Sequence, residues 1–192
     1  MPSQTIFLIR HAEKPDASGD NGVDETGKPD KESLTPRGWQ RAGMWAELFA
    51  PSLGKNPELP TPAKIFASAP TDRSDVVASK NGSKSHRPPE TITALASKLG
   101  IQIDLRFGKG QESDVADALS TTAAVTLVCW QHEDIGDIAR ALARGVSTIP
   151  ADWPGNRFNI AYRFDRTDSN ANWTFKQVIA VMFKEDSPEP IV

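Results

Sequence analysis

The chain holds a single cysteine in 192 residues, Cys129. That excludes an intrachain disulfide and any zinc site built from several thiolates. Basic charge is not in excess either: 22 Lys and Arg stand against 25 Asp and Glu, a formal net charge of −3. With no surplus to neutralise a phosphate backbone, nucleic acid is not expected as a partner, although a small local basic pocket stays open. No apolar run approaches the roughly 18 residues that a membrane-spanning helix needs. The amino terminus passes almost at once into Thr5-Ile6-Phe7-Leu8-Ile9, without a basic leader or a cleavage site. A cytoplasmic protein with no membrane partner is the expectation. Glycine motifs for nucleotides are missing as well. No Gly-x-Gly-x-x-Gly follows the first apolar run, and the Gly-Lys pairs at 27–28, 54–55 and 108–109 are followed by Pro, Asn and Gly, where a P-loop needs Ser or Thr. Asp16, Ser18, Asp20 and Asp24 are spaced like a calcium loop. However, Asn21 replaces the turn glycine and Gly27 the bidentate glutamate, so a solvated acidic loop is the reading.

What is present suffices for a core: apolar residues make up 38% of the chain, with five Trp and eight Phe. The length suits one domain over residues 1–192. Strands are predicted at Thr5–Ile9, Lys64–Ala67, Ile101–Ile103, Ala124–Trp130, Asn159–Phe164 and Trp173–Val181. A helix starts with Thr35 as cap and Pro36 at its first position, and Trp39, Ala42, Ala46 and Phe49 recur along it at helical spacing. Further helical segments are Thr91–Leu99, stopped by Gly100, then Val115–Leu119 and Ile135–Leu142. Two long polar loops, 14–33 and 69–86, interrupt the pattern, and loops of that length often border functional sites. Strands alternating with helices predict an α/β fold of three αβα layers, with a mostly parallel central sheet and helices on both faces. Trp153, Phe158 and Trp173 are expected to pack the final strands.

Ligands of such sheets sit beyond the carboxyl ends of the strands. Arg10-His11 follows the first strand, Ser68 the second, and Gln131-His132-Glu133 the strong run ending at Trp130. Two of only three histidines thus fall at strand ends. Arg10 beside His11 would repel a metal cation. The pair is better suited to an anion, and guanidinium is the natural bidentate partner of phosphate. A surface Arg next to a hydrogen-bonded structural His is the alternative that these residues leave open.

Taken together, Ile6 to Glu13, Leu34 to Ala42, Ile65 to Ser68, Arg87-Pro88-Pro89-Glu90-Thr91 and Val128 to His132 resemble, in order, the motifs of the histidine phosphatase superfamily, whose members include the cofactor-dependent phosphoglycerate mutases. The resemblance implies a phosphoglycerate mutase-like fold and a metal-independent phosphomonoester hydrolase without a cofactor. In it, His11 becomes transiently phosphorylated while Arg10, Arg87 and His132 hold the phosphoryl oxygens. The general acid is Glu133, directly after the second histidine, or Glu112, after the third strand. Arg73, in the long second loop, competes with Arg87 for the second arginine. Ser68 and Lys14 are candidate substrate ligands, Trp130 is expected in the core, and His86 is expected at the surface. The mutases carry a Glu-Arg-x-Tyr-Gly segment, which is absent here, where the one tyrosine is Tyr162; mutase activity is not expected. The expected partner is a small phosphorylated substrate, and the sequence is silent on oligomeric state. Two rivals remain at this point: a phosphohistidine-protein phosphatase and a non-catalytic phosphate-binding or regulatory protein.

Overall fold

The computed structural model describes residues 3–16, 19–72, 82–168 and 170–192. Six strands make one sheet: β1 (Gln4–Arg10), β2 (Lys64–Ala67), β3 (Ile103–Asp104), β4 (Val125–Trp130), β5 (Ile160–Arg166) and β6 (Thr174–Ile179). Their order is β3-β2-β4-β1-β5-β6. The pairs β1–β4, β4–β2 and β2–β3 are parallel, and β5 and β6 add on in antiparallel fashion. Ile6, Phe7, Leu8 and Ile9 have no exposed surface, as a strand covered on both faces requires.

Alternation along the strands divides the core in two. Phe7, Ile9, Leu127 and Cys129 face α1 (Pro36–Phe49) and α2 (Arg87–Leu99), meeting Trp45, Phe49, Ile92 and Leu95. Ile6, Leu8, Val128 and Trp130 face α3 (Glu112–Ser120) and α4 (His132–Leu142), meeting Val115, Leu119, Ile135 and Ile138. The expected three layers are therefore present. Among the described residues no helix is long and apolar enough to cross a membrane.

Helix α1 begins as its sequence predicts: the Thr35 hydroxyl accepts from the Gly38 amide at 3.1 Å and Pro36 occupies the first turn. Several boundaries differ from expectation: α4 starts at His132 rather than Ile135, β5 runs to Arg166 rather than Phe164, β6 ends at Ile179 rather than Val181, and α2 and β3 differ for reasons visible in the backbone. Helix α2 starts at Arg87 rather than Thr91, because Pro88 and Pro89 fall in the first turn, where a missing N–H leaves nothing unsatisfied. Strand β3 is only Ile103–Asp104, because the Ile101 amide closes the end of α2 on the Ala96 carbonyl at 3.0 Å, with Gly100 left-handed at φ 65°. The loop over 14–33 is pinned at its middle, where Val23 bonds Leu34 and the Trp39 indole donates to the Val23 carbonyl. Beyond β6 the tail returns to the body: Ile191 is buried in the core and exchanges hydrogen bonds with Gln177.

Candidate active site

Parallel register brings three strand ends to one level. Arg10 lies beside Trp130, and both Ile9 and Ala67 lie beside Cys129. The amides of His11 and Ser68 then donate to the carbonyls of Trp130 and Cys129, each at 3.1 Å. The residues that follow the strands, His11, Ser68 and Gln131-His132, therefore leave the sheet together.

His11 is 3% exposed, and its Nδ1 lies 2.7 Å from the Ala12 carbonyl. A carbonyl can only accept, so Nδ1 carries the proton and Nε2 keeps a lone pair. Burial and then the charge of Arg10 hold the imidazole well below its ordinary pKa against the Ala12 hydrogen bond, so the ring is neutral. The backbone beneath it is fixed from α2: the Ala12 amide donates to Thr91 Oγ1 at 2.8 Å, and that hydroxyl donates to the Arg87 carbonyl at 2.7 Å.

Arg10 is buried, with its Cζ 3.9 Å from the centre of the Phe158 ring. Its Nη1 donates to the carbonyls of Pro154 and Gly155, while Nε and Nη2 are buried without a partner among the described residues. Burial lowers its pKa to about 10, against the opposing charges of Glu133 and Glu13, so it remains a cation at neutral pH. Ser68 Oγ and both side-chain amide atoms of Gln131 are likewise buried and unpartnered. Buried polar atoms nearly always have partners. These orphans end β1 or directly follow β2 and β4, and their donors suit an anion bound at the strand ends.

His132 opens α4. Its Nδ1 lies 3.1 Å from Glu133 Oε2 without hydrogen-bond geometry. Burial first, then Arg10 and, more weakly, Lys14 and Lys109 lower its pKa, while Glu133 resists. Glu133 is half-exposed. Partial burial favours its neutral form, but its own amide, His132, Lys109 and Lys14 together draw its pKa below the usual value. Without a ligand the site thus combines neutral imidazoles, a carboxylate and surrounding cations.

The other sequence-predicted residues are placed as follows. Arg87 is close enough for its charge to act on His11, but its fork is engaged by the Ser33 and Lys31 carbonyls and by Ser85 Oγ. Arg73 lies outside the described residues. Lys14 is exposed, and its charge acts on His132 and Glu133. Glu112 accepts from the Trp130 indole at 3.0 Å and from the Gly110 amide at 2.9 Å, which ties it to the core tryptophan. His86 is not a free surface group but is half-buried between Asp72, at 2.9 Å, and Asp30, at 3.3 Å. Phe158 does not pack the final strands; its ring supports Arg10, because a desolvated guanidinium gains from an aromatic face. Gln131 was not predicted as a site residue. Its one sequence signal is an amide directly after an apolar strand and before a strand-end histidine.

No protein-family model matches this chain, and no curated protein matches it. Solved structures do. Mycobacterial hydrolase 2 aligns over 94% of this chain and 92% of its own, with a TM-score of 0.55 and 12% identity. A mycobacterial glucosyl-3-phosphoglycerate phosphatase, in a structure with VO3, aligns over 92% of this chain and 99% of its own, with a TM-score of 0.54 and 12% identity. At that identity the shared property is the fold, the phosphoglycerate mutase-like α/β fold.

Proposed function

We propose that this chain, which has the fold of the histidine phosphatases, is a phosphomonoester hydrolase working through a phosphohistidine. The observation that carries the reading is a buried Arg10 with an unpaired edge next to a neutral His11 whose Nε2 is free to attack. A P–N bond forms between His11 Nε2 and phosphorus as the P–O bond to the alcohol breaks. Arg10, His132, Ser68 and the field of Arg87 meet the charge on the equatorial oxygens. Glu133 gives its proton to the leaving oxygen, then takes one from the water that cleaves the P–N bond, which returns neutral His11 and releases phosphate. Although Glu133 is ionised in the free site, a bound phosphate dianion next to it favours the protonated carboxyl, so the acid is charged with its proton as substrate arrives. Glu112, held by Trp130, is left a structural role.

The test is hydrolysis of an aryl phosphate in EDTA by wild type and His11→Ala, with mass analysis of acid-labile phosphorylation. Turnover and a phosphorylated histidine, both lost in His11→Ala, are expected. Glu133→Gln should slow formation of the phosphohistidine from an alkyl phosphate by about 10²- to 10⁴-fold while sparing its formation from an aryl ester, whose leaving group needs little help, and the later water step should slow equally for both esters. Glu112→Gln should not share that pattern. The lowered pKa of Glu133 favours one rival, a phosphate-binding protein without turnover. That rival predicts inorganic phosphate binding, with no hydrolysis of either ester and no labelled histidine.

A further inference from the structure

Arg10 turns Nε and Nη2 toward the anion, but a long, flexible side chain does not hold that edge by itself. Its opposite edge and one face are what hold it. Nη1 donates to the Pro154 and Gly155 carbonyls, and the guanidinium lies on the Phe158 ring at 3.9 Å. All three supports belong to one connection, between α4 and β5. Its residues 154–156 are exposed, so the connection depends on how its ends are fastened.

One end is Trp153, which is buried against Tyr162 with ring centres 4.5 Å apart. Its indole donates to the Arg157 carbonyl at 2.8 Å. The other end is Arg157. Its amide closes the turn on the Pro154 carbonyl at 3.1 Å, and its side chain reaches the carboxyl-terminal tail. Nη2 donates to the carbonyls of Ser187, at 3.4 Å, and Glu189, while Nε donates to Asn159 Oδ1 at 3.4 Å. Asn159 is buried and doubles the link, its Nδ2 donating to the same Ser187 carbonyl at 2.9 Å. The tail is anchored in turn: Asp186 binds the buried Arg41 at 2.8 Å, and Arg41 binds Glu13, on the loop after His11, at 2.7 Å. A planar guanidinium fork can span acceptors on two segments, which a compact ammonium does less well.

We infer that Arg157 is a positioning residue for phosphoryl binding: it straps the turn that holds Arg10 to the tail, and so fixes the edge that Arg10 offers to substrate. The inference rests on the phosphatase reading above. Donors fixed in advance need no reorganisation as charge develops, and a misplacement of about 1 Å can cost about 10²-fold in rate. The test uses Arg157→Gln and the conservative Arg157→Lys, each checked for folding by thermal unfolding. Its first readout is the Arg10 Nε–H resonance in proton–nitrogen NMR correlation spectra, assigned by its disappearance in Arg10→Lys. That resonance is expected to shift in Arg157→Gln and to lie nearer its wild-type position in Arg157→Lys. The second readout is kcat/KM for an aryl phosphate. It is expected to fall about tenfold or more in Arg157→Gln, and to fall no further when that change is added to Arg10→Lys. An unmoved resonance in folded Arg157→Gln would overturn the strap. So would an equal loss of activity in the Arg10→Lys background, which marks a general structural role. If Arg157→Gln does not fold, Arg157→Lys carries the same two comparisons. A wild type that turns over no aryl phosphate would overturn the phosphatase reading instead, and the resonance then decides alone whether Arg157 holds Arg10.

Discussion

Each of the three histidines meets a different field, and this makes them separable probes. Burial and Arg10 push His11 far down and His132 down. His86 moves up: partial burial opposes its charge, but the Asp72 hydrogen bond and the carboxylates of Asp72, Asp30 and Glu90 prevail. Titration of the ring resonances by NMR should therefore give one midpoint above 6.5 and two below, with His11 lowest; His11 titrating at or above 6.5 would contradict its place as a neutral nucleophile. Because attack needs the neutral ring, phosphohistidine formation from an aryl phosphate should fall as acid passes that depressed His11 midpoint. The raised His86 has the opposite sign in stability. Its contribution is complete below 6.5 and is lost as pH climbs through its folded value. Gln131 offers a second residue-scale test. Its side-chain amide is buried with neither end bonded, so Gln131→Leu should raise stability by about 1 kcal/mol in denaturant unfolding and weaken inorganic phosphate binding in calorimetry. A stabilised protein that binds phosphate unchanged would remove Gln131 from the site.

At the scale of elements, two contacts lock the helices to the loop carrying the nucleophile. Thr91 of α2 receives the Ala12 amide, so Thr91→Val strands a buried N–H and should lower stability by about 1–3 kcal/mol. Gly38 of α1 lies against the same loop: an added Cβ would come within 2.7 Å of the Glu13 carbonyl oxygen. Gly38→Ala should therefore lower the melting temperature despite alanine's better helix propensity, whereas a rise would show that the loop can give way. What could be read in advance follows from the same physics. Strands β1, β2 and β4 were legible to within a residue because apolar runs buried on both faces carry their own boundary, and the Thr35-Pro36 start was legible because capping is local. The first turn of α2 escaped because Arg-Pro-Pro-Glu has no apolar period. Strand β3 was misplaced because the Ile101 amide answers to Ala96 instead of a neighbouring strand. Within the site, Arg10, His11, Ser68 and His132 could be inferred from their positions after strands. The support of Arg10 by Phe158 and the clamp of Arg41 by Glu13 and Asp186 join segments far apart in the chain, and no local pattern announces them.

Across the whole molecule, the tail closes on the start. Asp186 holds the buried Arg41 and also accepts from the amides of Met182 and Phe183; burial works against its charge, but these bonds keep its pKa below the ordinary value. Asp186→Ala should therefore cost about 3 kcal/mol or more in chemical unfolding, since it leaves a buried guanidinium with one partner of two. This part of the stability is present above pH 3.8 and lost as acid passes the lower folded pKa of Asp186. The position of β1 has a further consequence, in time rather than space. Of the six strands it is synthesised earliest, yet its partners are β4, with Thr5 paired to Val125, and β5, with Ile9 paired to Ala161. During synthesis the apolar Ile6-Phe7-Leu8-Ile9 must wait for most of the chain with both edges open, the condition in which strands pair with strangers. Refolding from denaturant should accordingly be slow and lose yield as protein concentration rises, and nascent chains that stop short of β4 should be the species that chaperones hold.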